Sequence, residues 1–188
     1  GIKLIHNELG PLRSPLYKNT CYFDFSGVNG NTEFDSRFQK FILDYEKGKI
    51  KLLTHSELLS IISSSESVYK RLLSISESTE RKQYQIGIPL QVENDTNIIA
   101  FNNDFSIIDL ISKAIDTAEV KNVLIRNHPH ATLQASSRNY NIDNSNDALD
   151  FISCVNEVMT INSSVGFESL LLNKKVTYFG DNPFAKSV

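Results

Sequence analysis

With 188 residues, 40% of them hydrophobic and 22% charged, the chain has the make-up of an ordinary globular protein long enough to bury a core. A formal net charge of -3 argues against a general nucleic-acid binder, which presents a basic face, and no run approaches the roughly 18 apolar residues of a membrane span. Cys21 and Cys154 are isolated thiols without metal-ligand spacing, so the expected setting is reducing and cytoplasmic. Gly1-Ile2-Lys3 shows no signal-peptide pattern and no initiator Met, which leads to the expectation of a fragment of a longer chain.

Ile2 to Ile5 reads as a buried strand that delivers His6, Asn7 and Glu8 to its C-terminal end. Pro11 and Pro15 keep the next residues out of regular structure, and Ser26-Gly27 and Asn29-Gly30 mark Asp24 to Asn31 as a loop. Phe34, Phe38, Phe41, Ile42 and Tyr45 recur at helical spacing, predicting an amphipathic helix from Glu33 to Glu46 that Gly48 ends. Thr54-His55-Ser56-Glu57 matches a capping box. The helix it opens carries Leu58, Leu59, Ile61, Ile62, Tyr69, Leu72 and Leu73, with a break point at serines 63 to 65. Ser76 to Lys82 is polar and reads as a linker, which places an N-terminal lobe over residues 1–82 and a C-terminal lobe over 83–188.

Tyr84 to Val92 is the clearest strand of the first half. Asp104 is expected to cap a helix whose stripe is Ile107, Ile108, Leu110, Ile111 and Ile115. Asn122 to Arg126 is the next strand and leads into His128-Pro129; residues 130 to 147, rich in Asn and Ser, predict a long loop with a short helix. A strand from Glu157 to Asn162, a helix from Gly166 to Leu172 and a strand from Lys175 to Gly180 follow. The order β-α-β-loop-β-α-β predicts a doubly wound parallel sheet.

In such sheets ligands bind at the carboxyl ends of the strands. Ser163 and Ser164 fall at a turn and helix N-terminus, where free N–H groups, the helix dipole and two hydroxyls suit one phosphate. Glu168 lies near enough to reach a sugar on that phosphate, and His128 ends the neighbouring strand. Each piece also has a plainer reading: Ser-Ser as a helix cap, His-Pro as a loop, Glu168 as a partner of the dipole. One pocket accounts for all three. His6, His55, His128 and His130 form no zinc pattern.

The run Gln91-Val92-Glu93-Asn94-Asp95-Thr96-Asn97-Ile98, the turn Arg126-Asn127-His128-Pro129 and the block Ser163-Ser164-Val165-Gly166-Phe167-Glu168-Ser169-Leu170-Leu171 resemble the capsule and lipopolysaccharide Kdo transferases. These are retaining enzymes that move 3-deoxy-manno-octulosonic acid (Kdo) from CMP-β-Kdo to a bacterial surface glycan. Val176 to Phe184 fits the same pattern, and Glu8-Leu9-Gly10-Pro11-Leu12-Arg13 resembles the family's early acidic loop more loosely. The match is firm over about residues 88 to 184. Its glycine- and tryptophan-containing segment after Pro183-Phe184 is absent.

The resemblance implies an α/β, glycosyltransferase-B-like fold of two Rossmann-like lobes, the acceptor-side lobe first and reduced or truncated, the CMP-sugar lobe second. It implies Asp95 as nucleophile, with Glu93 as the competitor, and His128 against the donor phosphate. Arg126 adds a second positive charge there or is a solvated strand-end charge. Ser163 and Ser164 would hold the phosphate, Glu168 the ribose, and Glu8 would serve as base for the acceptor hydroxyl. No cofactor and no metal are implied. The implied partners are CMP-Kdo and an acceptor of O-antigen, capsule or lipopolysaccharide type, with no nucleic acid and with peripheral association at the inner face of the cytoplasmic membrane or with other glycan-synthesis domains. Because His-Pro is shared with bacterial sialyltransferases, a sialyltransferase-like CMP-sugar enzyme is one alternative. A non-catalytic nucleotide- or glycan-binding lobe of a multidomain synthase is the other.

Overall fold

The computed structural model describes residues 4–80 and 82–184, which gather into two units, residues 4–73 with 182–184 and residues 74–80 with 82–181. In the first unit, β1 (His6–Leu9) runs antiparallel to β2 (Cys21–Asp24), with His6 opposite Asp24 and Leu9 opposite Cys21. Of the strand expected over Ile2 to Ile5, residues 2 and 3 lie outside the described residues, while Leu4 and Ile5 are exposed and outside any strand. Pairing begins only at His6, so Glu8 sits within β1 rather than beyond its end. β2 carries no alternation strong enough to stand out in the sequence; it forms because Gly10 N–H donates to Thr20 at 2.7 Å and brings the two segments together.

Asp24 ends β2 with its side chain buried. Burial raises its pKa, but the amides of Ser26, Glu33 and Gly27 and the Arg37 guanidinium at 2.8 Å outweigh that and hold the carboxyl below the usual range. α1 (Phe34–Glu46) follows, and Gly48 at φ +68° takes the left-handed turn after it. α2 (His55–Ile62) has the expected capping box, Thr54 with Glu57. The serine break is also present: Ser63 is extended, its hydroxyl donates to Leu59 O at 2.6 Å, and α3 (Glu66–Glu77) starts afresh. The linker expected from Ser76 begins instead as helix, since α3 runs to Glu77 and Ser76 is buried; residue 81 lies outside the described residues.

The second unit is a five-stranded parallel sheet. β3 (Tyr84–Pro89) is followed by α4 (Thr96–Phe101), α5 (Ile107–Ala118), β4 (Val123–Arg126) and β5 (Asn141–Ile142), then α6 (Ala148–Ser153), β6 (Val155–Thr160), α7 (Ser164–Leu171) and β7 (Lys175–Tyr178). Strand order is β5-β4-β3-β6-β7. The continuous apolar run Val123-Leu124-Ile125 of β4 follows from burial on both faces. Ile86 and Ile88 pack with Leu110, Ala114 and Ile125 on the α5 side. Gly87 points the other way, and a Cβ there would lie 2.7 Å from the Phe151 ring of α6.

Three expectations shift in this unit. Asp104 does not cap α5: it lies at φ +59°, and Ser106 caps instead, because its hydroxyl accepts from Asp109 N–H at 3.1 Å while the Asp109 carboxylate accepts from Ser106 N–H at 2.9 Å. The buried stripe of α5 is Ile107, Leu110, Ala114 and Ala118, leaving Ile108 exposed. The loop after residue 130 also holds the two-residue strand β5, drawn to β4 by the pairing of Leu124 with Asn141, and the short helix expected there is α6, which begins only after its cap Asp147.

Candidate functional site

The chain leaves β3 towards β4 on one side and later places β6 on the other, so the topological switch lies at the carboxyl end of β3. Parallel neighbours sit about 4.8 Å apart, and the segments that follow β4, β3 and β6 therefore share one edge of the sheet. They bring together His128, Asp95, Ser163 and Ser164. Glu8 belongs to the first unit; it is exposed, and its Oε1 accepts from Leu9 N–H at 2.8 Å.

Ser163 is the N-cap of α7, its Oγ accepting from Val165 N–H at 3.2 Å, while its own N–H donates to Thr160 Oγ1 at 3.2 Å. Ser164 holds the first helical position, half-buried, and its hydroxyl has no partner among the described residues. The α7 N-terminus thus presents a hydroxyl and the positive end of the dipole to the strand edge. Gly166 is required one turn further on because Tyr178 lies against it: a Cβ would come within 2.7 Å of the Tyr178 ring. Glu168 is 8% exposed and sits in the second turn rather than the first. Burial, and secondarily the Glu168 charge, raise the pKa of the Tyr178 hydroxyl.

Asp95 caps α4, Oδ1 accepting from Asn97 N–H at 2.8 Å, with the carboxylate otherwise exposed. The competing Glu93 is already engaged: its carboxylate accepts from Thr132 N–H at 3.1 Å and from Leu133 N–H. Its pKa falls below the usual glutamate range through backbone hydrogen bonds, its own amide first and then Leu133 and Thr132. His128 is half-buried in a pinned loop. Its Nδ1 accepts from His130 N–H at 3.2 Å, which leaves Nε2 to carry the proton of the neutral ring. Gln134 donates to His128 O at 2.8 Å, and Asn127 clamps Ala135 through both amide atoms. Arg126 has a partner of its own: its Nη1 pairs with the Asp143 carboxylate and reaches the Ser145 hydroxyl at 3.1 Å, while the side chain keeps 24% of its surface exposed. Among the described residues no three of His, Cys, Asp or Glu gather as a metal set.

Residues 38–187 match the family model described as capsule polysaccharide biosynthesis protein. The chain belongs to that family. Residues 1–33 also match the N-terminal domain of the glycosyltransferase 99 family. No curated protein matches the chain. Among solved structures, the fold is that of Thermosulfurimonas dismutans KpsC, β-Kdo 2,7 transferase, with a TM-score of 0.63 at 18% identity over 97% of this chain and 60% of that one. The β-Kdo 2,4 transferase of the same KpsC gives 0.58 at 16% identity over 96% and 62%. The chain thus spans about three fifths of the length of either relative. No helix among the described residues is long and apolar enough to cross a membrane.

Two features of the chain escape a linear reading. Gln91 and Asn162 are joined side chain to side chain across the switch point at 2.8 Å; both residues are visible in the sequence, but nothing local pairs them. In the first unit, a cavity of about 300 Å³ is lined by Tyr22, Phe34, Phe38, Phe41 and Phe184, with Phe34 stacked on Phe38 at 5.7 Å.

Proposed function

We propose that this chain carries the donor-binding face of a retaining, glycosyltransferase-B-type enzyme that moves Kdo from CMP-β-Kdo to a bacterial surface glycan. The observation that carries this reading is the shared edge of β4, β3 and β6, which puts a histidine, an exposed carboxylate and a serine-capped helix N-terminus on adjacent segments. The fold held in common with two β-Kdo transferases supports the choice of sugar.

In the proposed cycle an Asp95 oxygen attacks the anomeric carbon of Kdo. The bond to the phosphate oxygen breaks, and its electron pair leaves with CMP. The acceptor hydroxyl then attacks the same carbon, its proton passing to a general base, and the ester to Asp95 breaks. Two inversions give retention. His128, Ser164 and the α7 amides around Ser163 offset the charge that develops on the leaving phosphate, so this role needs no divalent ion. Glu168 is assigned to the ribose, and Arg126, through Asp143 and Ser145, to the framework behind the His128 loop. The test is mass spectrometry of the chain after incubation with CMP-Kdo without acceptor, with CMP-sialic acid as the competing donor. A Kdo adduct on Asp95, lost in Asp95→Ala, is expected. Binding of CMP with no adduct and no CMP release from either donor would make the chain a binding module instead.

A further inference from the structure

The segment after β3 reaches both flanks of the site. Gln91 turns towards β6: its Oε1 accepts from Asn162 N–H and from Thr160 Oγ1, each at 3.2 Å, and its Nε2 donates to Asn162 Oδ1 at 2.8 Å. Asn162 Nδ2 continues to Asn97 O at 3.0 Å, and Thr160 Oγ1 accepts from the N–H of the cap residue Ser163. A turn closed by Asp95 N–H on Val92 O at 3.1 Å then reverses the chain. Glu93, inside that turn, reaches the opposite way and takes the amides of Thr132 and Leu133 in the His128 loop.

We propose that Gln91 and Glu93 are positioning residues that hold the Ser163 turn and the His128 loop in mutual register from one short segment. This rests on the reading of those two loops as the donor-phosphate site. The strands themselves do not need the network, because β3 is already paired with β4 through Pro89 opposite Arg126 and with β6 through Gly87 opposite Val158. What the two side chains fix lies beyond the ladders, where backbone pairing has ended and the ligand-facing groups begin. Gln91, Asn162 and Glu93 each hydrogen-bond to a partner outside their own segment, so removing one leaves partly buried polar groups unmatched. Such a loss shifts a loop by the ångström or so that degrades a positioned site.

The test combines amide hydrogen exchange, read residue by residue, with calorimetric CMP binding on the full 188-residue chain. Gln91→Ala is expected to speed exchange at Asn162 and Ser163 at least tenfold, and Glu93→Gln to do so at Thr132 and Leu133. The ladder amides of β3 and β4 stay protected, and CMP affinity falls at least tenfold in each variant. Gln91→Glu keeps an acceptor oxygen and restores part of the Asn162 protection, which a generally destabilised sheet would not show. If Gln91→Ala loses the ladder protection as well, Gln91→Glu carries the comparison. Unchanged exchange at all four amides overturns the proposal whatever the ligand. Faster exchange with unchanged CMP affinity overturns the positioning role and leaves the donor site standing. Failure of the unaltered chain to bind CMP, with exchange shifting as expected, overturns the donor reading and this role with it.

Discussion

Asp95 Oδ1 accepts the backbone N–H of Asn97 at 2.8 Å, so the carboxylate proposed to attack the sugar also caps α4. The two duties separate by substitution. Asp95→Asn keeps a good capping oxygen and should leave the melting temperature nearly unchanged while abolishing the Kdo adduct. Asp95→Ala should abolish the adduct and also cost about 1 kcal/mol for the lost cap. CMP binding should survive both, because Asp95 acts on the sugar. Transfer at the unaltered rate by Asp95→Asn would remove Asp95 as nucleophile.

The α7 N-terminus gives a similar separation between neighbouring serines. Ser163 caps the helix, whereas the Ser164 hydroxyl has no partner among the described residues. Ser164→Ala should therefore weaken CMP binding by about tenfold, the worth of one charge-assisted hydrogen bond, with no loss of stability. Ser163→Ala should lose about 1 kcal/mol of stability as well. Calorimetry with CMP, and with UMP and GMP as controls, reads the first effect, and thermal unfolding reads the second. Equal CMP affinity in Ser164→Ala and the parent chain would sink the phosphate assignment.

What could be read from the sequence, and what could not, divides by range. α1 and the β6-Ser163-α7 unit announce themselves, because apolar spacing and capping residues act within a few positions. The same local logic misplaced the α5 cap: Asp104 and Ser106 are both good caps, and only the reciprocal bond with Asp109 decides for Ser106. β5 is two residues long and α6 six, both too short to show a period. Within the site, the Ser163 cap and the His128 turn were legible. The diversion of Arg126 to Asp143, 17 positions away, and the Gln91–Asn162 bond, 71 positions apart, were not, since side-chain partners across a sheet leave no spacing signature.

Gly87 tests how tightly the sheet carrying the site is packed. A methyl there would lie 2.7 Å from Phe151 Cζ and 2.9 Å from Val155 Cγ1, both on fully buried side chains. Gly87→Ala should cost about 1–3 kcal/mol through overpacking. Phe151→Leu, added to it, should recover part of that loss even though Phe151→Leu alone destabilises. Additive losses in the double variant, measured by denaturant unfolding, would show that the ring is not what opposes the methyl.

Lys174 gives the chain a pH dependence of unusual sign. Burial, with a smaller contribution from Lys82, lowers its pKa to about 8, against an opposing effect of Cys154, while Nζ donates to Val155 O at 2.9 Å. The unfolded lysine titrates near 10.4, so the folded state releases its proton first. Below about pH 8 the folded chain carries the charge at a cost. That cost is relieved as pH rises from about 8 towards 10.4, and stability gains relative to a chain without the group. Lys174→Met keeps the stem packing and removes the proton. The difference in melting temperature between Lys174→Met and the parent chain should therefore shrink between pH 8 and 10, with the variant the more stable at pH 7. A difference that stays constant across this range would mean that Lys174 titrates alike in the folded and unfolded chain, and that burial of its ammonium is relieved by the Val155 carbonyl.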